Sequence, residues 1–217
     1  MVLSTRLAMA LALVGECNVL ADIGTDHAHL PIAACDANIC KTAIACDINS
    51  GPLAIAATNI NSAGYNARIA TRLGSGLAPL SLNEADTIVI AGMGGMRIWQ
   101  IIQQDLQKAM QVTKLVLQPQ HDLEELRRNL HAAGFEITDE KLVKEDSRFY
   151  VLLCASYSCK PTPWHDHEYF IGKYLVGQPY FQEYKSQLAG KIHRYLPGLA
   201  AGEAQELARK KLKWLEG

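Results

Sequence analysis

The chain of 217 residues carries 21 Lys/Arg against 22 Asp/Glu, for a formal net charge of −1, and is 49% hydrophobic. This is the composition of a soluble globular protein, and the length supports one substantial core with a smaller appendage, excluding a second full domain. The charge is uneven: residues 160–217 hold nine Lys/Arg against six Asp/Glu, a tail of +3 on a body of −4. Such a tail suits a polyanion partner, and it equally suits a solvated helical face.

In chain order, the apolar run "LAMALALVGEC" comes first. Only Arg6 precedes it, and Glu16 stands where a signal cleavage site wants a small residue, so it reads as an amphipathic helix capped by Ser4 or Thr5. No segment approaches transmembrane length. Apolar runs then alternate with helical patterns, the rhythm of a parallel α/β sheet. Strands are predicted near Val19–Ile23, Thr42–Asp47, Ala67–Arg72, Thr87–Ala91 and Lys114–Gln118. Helices are predicted over His29–Ala37, Pro52–Ala63, Gly95–Lys108 and Asp122–Ala133. Phe135–Val143 and Phe149–Ser156 read as two more strands joined only by "KEDSR", too short for a crossover, so they pair antiparallel.

The expected fold class is therefore α/β. A parallel sheet closing in an antiparallel pair is the class I methyltransferase Rossmann-like pattern, followed here by a small C-terminal helical, coiled-coil-like domain. The boundary falls in "SCKPTPWHDHEYF", giving a catalytic domain over 1–159 and a helical domain over 160–217, its helices near Glu168–Tyr195 and Ala201–Glu216 forming a hairpin around "LPGLAAG". His165 and His167 lack further ligands and read as linker. No metal site is expected. The six cysteines, Cys17, Cys35, Cys40, Cys46, Cys154 and Cys159, include no C-x-x-C pair, which predicts a reducing, cytoplasmic setting without disulfides or structural zinc.

Chemistry concentrates where strands end. In open α/β sheets, ligands bind outside the carboxyl ends of the strands. There "VLADIGTDHAHLP" places Asp22, Gly24, Asp26, His27 and His29, with Gly24 allowing close backbone approach. One glycine is too few for a dinucleotide G-x-G-x-x-G loop. Asp47, 23 positions beyond Gly24 and followed by Ile48, can accept from both hydroxyls of a ribose, which points to an adenosine-type cofactor; capping of the next helix is the alternative. "RLGSGL" and "IAGMGGM" bring Gly74, Ser75, Gly76, Ala91, Gly92, Met93, Gly94 and Gly95 to the same edge, clearing space for a flat ligand.

These motifs, with "LSTRL", "CDINSGP", "LVLQPQ" and "YLVGQPYF", run in order along nearly the whole chain and resemble the bacterial tRNA (adenine-22-N1)-methyltransferases, which use S-adenosylmethionine. The resemblance implies that Asp22, Gly24 and Asp26 shape the pocket for the methionine part of the cofactor, Asp47 holds the ribose, and Ala91–Gly94 line the methyl-transfer site. It further implies that the helical domain helps to grip tRNA. Two departures stand out. Ser75 replaces the acid of the family's "GDGL", predicting weaker cofactor binding, and Gln120 replaces Asn in "QPN", which affects the target-base contacts.

Ring nitrogen N1 of adenine needs no deprotonation before attack, so positioning dominates. Asp26, then His27, are the candidate residues beside the cationic product, and Gln118 the candidate for orienting the base. "AGMG" in place of N/D-P-P-Y disfavours an exocyclic acceptor. Arg6, Lys185, Lys191, Arg194, Arg209, Lys210, Lys211 and Lys213 are the expected phosphate contacts. The rival readings are a small-molecule methyltransferase, a non-catalytic tRNA- or cofactor-binding module hinted at by Ser75, and a nicotinamide enzyme, which the single glycine and closing hairpin disfavour.

Overall fold

The computed structural model describes residues 3–217. Its elements are α1 (Thr5–Val14), β1 (Cys17–Ile23), α2 (His29–Asp36), β2 (Cys40–Asp47), α3 (Ser50–Ser62), β3 (Ile69–Leu73) and β4 (Thr87–Met93). These are followed by α4 (Gly95–Gln104), α5 (Leu106–Gln111), β5 (Lys114–Pro119), α6 (Leu123–Ala132), β6 (Phe135–Glu145) and β7 (Arg148–Tyr157). The tail adds α7 (Asp166–Ile171), α8 (Phe181–Tyr195) and α9 (Glu203–Glu216). α1 is capped as expected, with the Ser4 hydroxyl accepting from Leu7 N.

Seven strands form one sheet in the order β3-β2-β1-β4-β5-β7-β6. β1 to β5 are parallel, while β7 runs antiparallel to both β5 and β6. Alternation along the central strands sends Ile23, Ile88, Ile90, Leu115 and Leu117 into one buried cluster and Leu20, Val89 and Val116 into the other, one on each face. Both faces are covered by helices, which is why these strands read as unbroken apolar runs. The chain reverses direction across the sheet between the neighbours β1 and β4, so their carboxyl ends frame the switch-point crevice.

Two predicted helices are broken. The helix expected over Gly95–Lys108 splits at Asp105, whose φ/ψ of −126/46 is non-helical. There Lys108 Nζ pairs with Asp105 at 3.1 Å and also donates to Leu77 O, so side-chain bonds to the loop after β3 replace helix continuity. The helix expected over Glu168–Tyr195 is interrupted between Ile171 and Phe181 by Gly172 and Gly177, both at positive φ. This interruption lets Gln178 reach the outer edge of the sheet: its side chain donates to Glu140 O and accepts from Leu142 N, covering the exposed edge of β6 as a further strand would.

α8 and α9 do not form the expected tight hairpin. His193 near the end of α8 meets Glu216 at the far end of α9, 3.1 Å apart, so the helices cross. Their apolar faces share a buried cluster with Leu142 of β6 and Val151 of β7. Beneath this contact lies a fully buried ion pair. Arg127 Nε donates to Glu140 Oε1 at 2.8 Å, and Arg127 Nη1 donates to Tyr169 O at 2.7 Å.

Candidate active site

A cavity of about 430 Å³ opens at the carboxyl ends of β1, β2 and β4. Its floor is the turn after β1. Gly24, Asp26 and Ala28 all hold positive φ, which folds the chain back on itself. The turn is pinned by Gly24 N and Thr25 N, both donating to Cys46 O, and by Asn59 Nδ2 donating to His27 O. The Met93 methyl rests directly against Gly24, where a Cβ would collide with it, and the positive φ of Gly24 independently favours glycine at this turn.

The sequence-predicted residues Asp22, Gly24, Asp26, His27, Asp47, Ile48, Gly74, Gly76, Ala91, Gly92, Met93 and Arg6 all line this cavity. Asp47 is buried. Its Oδ1 accepts from Asn49 N at 2.9 Å and its Oδ2 from Asp26 N at 3.3 Å, leaving lone pairs on both oxygens for a ligand. It therefore shapes the β2 exit as well as facing the cavity. Asp26 lies on the rim, 71% exposed, with its carboxylate 3.5 Å from His27 Nε2. The His27 and His29 rings meet edge to face.

Three predicted residues fall elsewhere. Gln118 is fully buried and does not reach the cavity: its Oε1 accepts from Arg6 Nη1 and Gly92 N, and its Nε2 donates to Pro119 O. It ties Arg6 to the end of β4 at Gly92. Ser75 is exposed beside the cavity on a loop braced by the Arg72–Glu84 pair. Gly94 sits under the His121 ring.

Arg6, expected as a phosphate contact, lines the cavity. Its backbone N donates to Glu145 and its guanidinium rests over the Tyr150 ring, aiming the cation into the cavity beside Gly92. The expected tRNA contacts in the tail divide into two groups. Lys210 pairs with Asp166 and Lys211 with Glu124, while Lys191, Arg194, Arg209 and Lys213 are exposed and Lys185 is half-buried over the Phe181 ring. Residues missed from sequence also line the cavity, among them Arg97, Asn49 and Ile101. Arg97 stood two residues beyond "AGMGG", in the first turn of α4, and that position was the available signal.

The charges are segregated. Asp22, Asp26 and Asp47 lie at the β1 and β2 exits, and Arg6 and Arg97 come from α1 and α4. Burial pushes the Asp22 carboxyl up to about 6, opposed by the 2.7 Å bond from Thr25 Oγ1 and reinforced by the nearby Asp47 charge. A carboxyl raised in the fold favours folding below the unfolded value of 3.8 and loses that contribution as pH rises to about 6. Asp22→Asn is therefore expected to stabilise the free protein above pH 6 by on the order of 2–3 kcal/mol and to be near neutral below pH 4. Urea unfolding across that range reads the difference; a gain independent of pH would assign it to packing. Asp22 is thus a carboxylate held at a cost to stability, facing a cavity that can receive a cation.

Comparison with known proteins agrees with this geometry. Residues 3–153 match the family model described as a methyltransferase domain. The chain is 36% identical over 153 residues to the tRNA (adenine(22)-N(1))-methyltransferase of Bacillus subtilis (strain 168), a match covering 70% of this chain and 64% of that protein. The solved structure of the B. subtilis M1A22 tRNA methyltransferase TrmK superposes with a TM-score of 0.84 at 28% identity, covering 99% of this chain and 94% of the other. The structure of M. capricolum TrmK in complex with S-adenosyl-homocysteine gives 0.88 at 26%, covering 100% and 97%. The chain belongs to the bacterial tRNA (adenine-22-N1)-methyltransferase family of Rossmann-like methyltransferases.

Proposed function

We propose that this protein transfers a methyl group from S-adenosylmethionine to N1 of adenine 22 in tRNA. The observation that carries the reading is Asp47, buried at the β2 exit with free acceptor sites on a cavity that Gly24 and Met93 also line. The donor set fits the cofactor: a carboxylate for the ribose, a second desolvated carboxylate at Asp22 for its cationic amino-acid end, and the apolar Ile48 and Ile101 for its adenine. Gly74, Ser75 and Gly76 would border that adenine end, and Ala91 to Met93 would border the transferred methyl, with Gly94 behind them under His121. When bound, the cofactor supplies a methyl activated on a sulfonium.

The remaining work falls to the chain's own residues. Asp26 and His27 stand on the rim where the methylated, cationic base is tolerated, and Gln118 acts through Arg6 and Gly92. Arg6 and Arg97 suit an anionic backbone at the mouth, and the exposed Lys191, Arg194, Arg209 and Lys213 extend that cationic surface onto the tail. Lys185 supplements them. Lys210 and Lys211 contribute less because each already faces an acid. A catalytic unit over 1–159 and a tRNA-gripping helical unit over 160–217 is the corresponding division of labour. Adenine within the folded tRNA must be unstacked to reach the cavity.

Reverse transcription of tRNA treated with enzyme and cofactor tests the assignment, since a methyl on N1 blocks pairing. The expected result is a stop at position 22. A stop elsewhere, or label transferred only to small molecules, refutes it. Binding should also weaken by orders of magnitude between low and moderate salt, and Lys191→Ala with Arg194→Ala should flatten that dependence. No change in slope would remove α8 from the interface.

A further inference from the structure

His121 and Asp122 lie between β5 and α6 and take no part in the roles described above. An aspartate just before a helix ordinarily accepts from the free N–H groups of its first turn. Asp122 makes no such bond. Its Oδ2 lies 2.7 Å from His121 Nδ1, and its φ of 55° is a left-handed conformation costly for a residue with a side chain. The ring is laid against Gly94, where a Cβ would collide with its Cε1 and Nε2 atoms. Two backbone bonds fix the arrangement: Gln120 N donates to Met93 O at 2.8 Å, and Gly95 N donates to His121 O at 2.9 Å.

The His121 side chain is 68% exposed, so burial does not explain this orientation. With Gln120, which also lines the cavity, His121 borders a groove of about 340 Å³ that extends to Lys191 and Lys211. The ring thus stands between the methyl-transfer loop and the basic tail.

We propose that His121 contacts the target base, its Nε2 accepting a hydrogen bond from the exocyclic amino group of adenine while Asp122 fixes the tautomer. The inference rests on the N1-methylation reading above. A carboxylate only accepts, so Nδ1 carries the proton, and in the neutral ring Nε2 presents a lone pair. In the reaction the N1 lone pair forms the new bond to carbon, the sulfur–methyl bond breaks with its electrons left on sulfur, and the positive charge passes to the base without proton transfer. That charge spreads over N1, C6 and N6, making the amino hydrogens stronger donors as the reaction advances. An acceptor placed there, backed by a carboxylate, binds the transition state more tightly than the ground state. It also disfavours guanine, whose O6 would face a lone pair.

The test pairs protein and substrate changes, using tRNA with adenine or unsubstituted purine at position 22. His121→Ala is expected to lower kcat on the adenine substrate about 10- to 100-fold, with cofactor affinity by calorimetry and tRNA affinity by filter binding unchanged. His121→Gln, whose side-chain oxygen can accept, should recover part of that loss. Removing the amino group should slow His121→Ala about tenfold less than it slows the unaltered protein. Equal slowing in both, or a full kcat in His121→Ala, overturns the role of His121 alone. An unaltered protein that never methylates adenine 22 overturns the parent reading and this one with it.

Discussion

Glu140→Ala is expected to destabilise the protein by about 3–5 kcal/mol and to release the tail from the sheet. Both partners of the Arg127–Glu140 pair have side chains with no solvent exposure, so deleting the carboxylate strands a guanidinium in the interior. The pair is also a junction. Arg127 sits on α6, Glu140 on β6, Arg127 Nη1 donates to Tyr169 O in α7, and Tyr174 N donates to Glu140 Oε2. Loss of either ion therefore frees backbone groups of the segment that carries Gln178 and α8. Chemical denaturation reads the stability and limited proteolysis between residues 160 and 180 reads the release. Replacing both residues with methionine should restore much of the stability, because a buried pair gains little over apolar packing of similar volume. If Glu140→Ala costs less than 1 kcal/mol, the pair is not the fastening that the geometry describes.

Asp47→Ala is expected to weaken S-adenosylmethionine binding at least about 100-fold. Two hydrogen bonds from ribose hydroxyls to a carboxylate are worth about 1.5–3 kcal/mol each, so even partial compensation by water leaves a loss of that size. Because Asp47 also accepts from Asn49 N and Asp26 N, some of the effect passes through the turn after β1. Asp47→Asn removes the charge while keeping one of the two backbone acceptors, its amide nitrogen replacing the other oxygen. Calorimetry should place it between the alanine variant and the unaltered protein. Unchanged affinity in the alanine variant, with the protein folded, would remove the ribose role and with it the main support for the cofactor assignment.

Much of this molecule was legible in its residues. The five parallel strands, their helices and the antiparallel closing pair follow from apolar runs and from a turn too short for a crossover. The cavity residues followed because a parallel sheet puts every strand's carboxyl end on one edge, so residues far apart in sequence converge without any knowledge of packing. Where that reading erred, a side chain bonded to something remote in sequence. Lys108 reaches Leu77 O and Gln178 reaches β6, and each interrupts a helix that local pattern alone would continue. Gln118, read as a base contact from its place at a strand end, is turned inward because Arg6 lies across it.

By itself, then, the sequence determined the fold class, the sheet edge at which the cavity opens and the carboxylates that line it, since periodicity and glycine placement are local and the sheet edge gathers them. Only the tertiary structure decided which charges are spent on one another. Lys211 on Glu124, Arg127 on Glu140 and His121 on Asp122 are matters of distance in space, to which neither composition nor spacing responds.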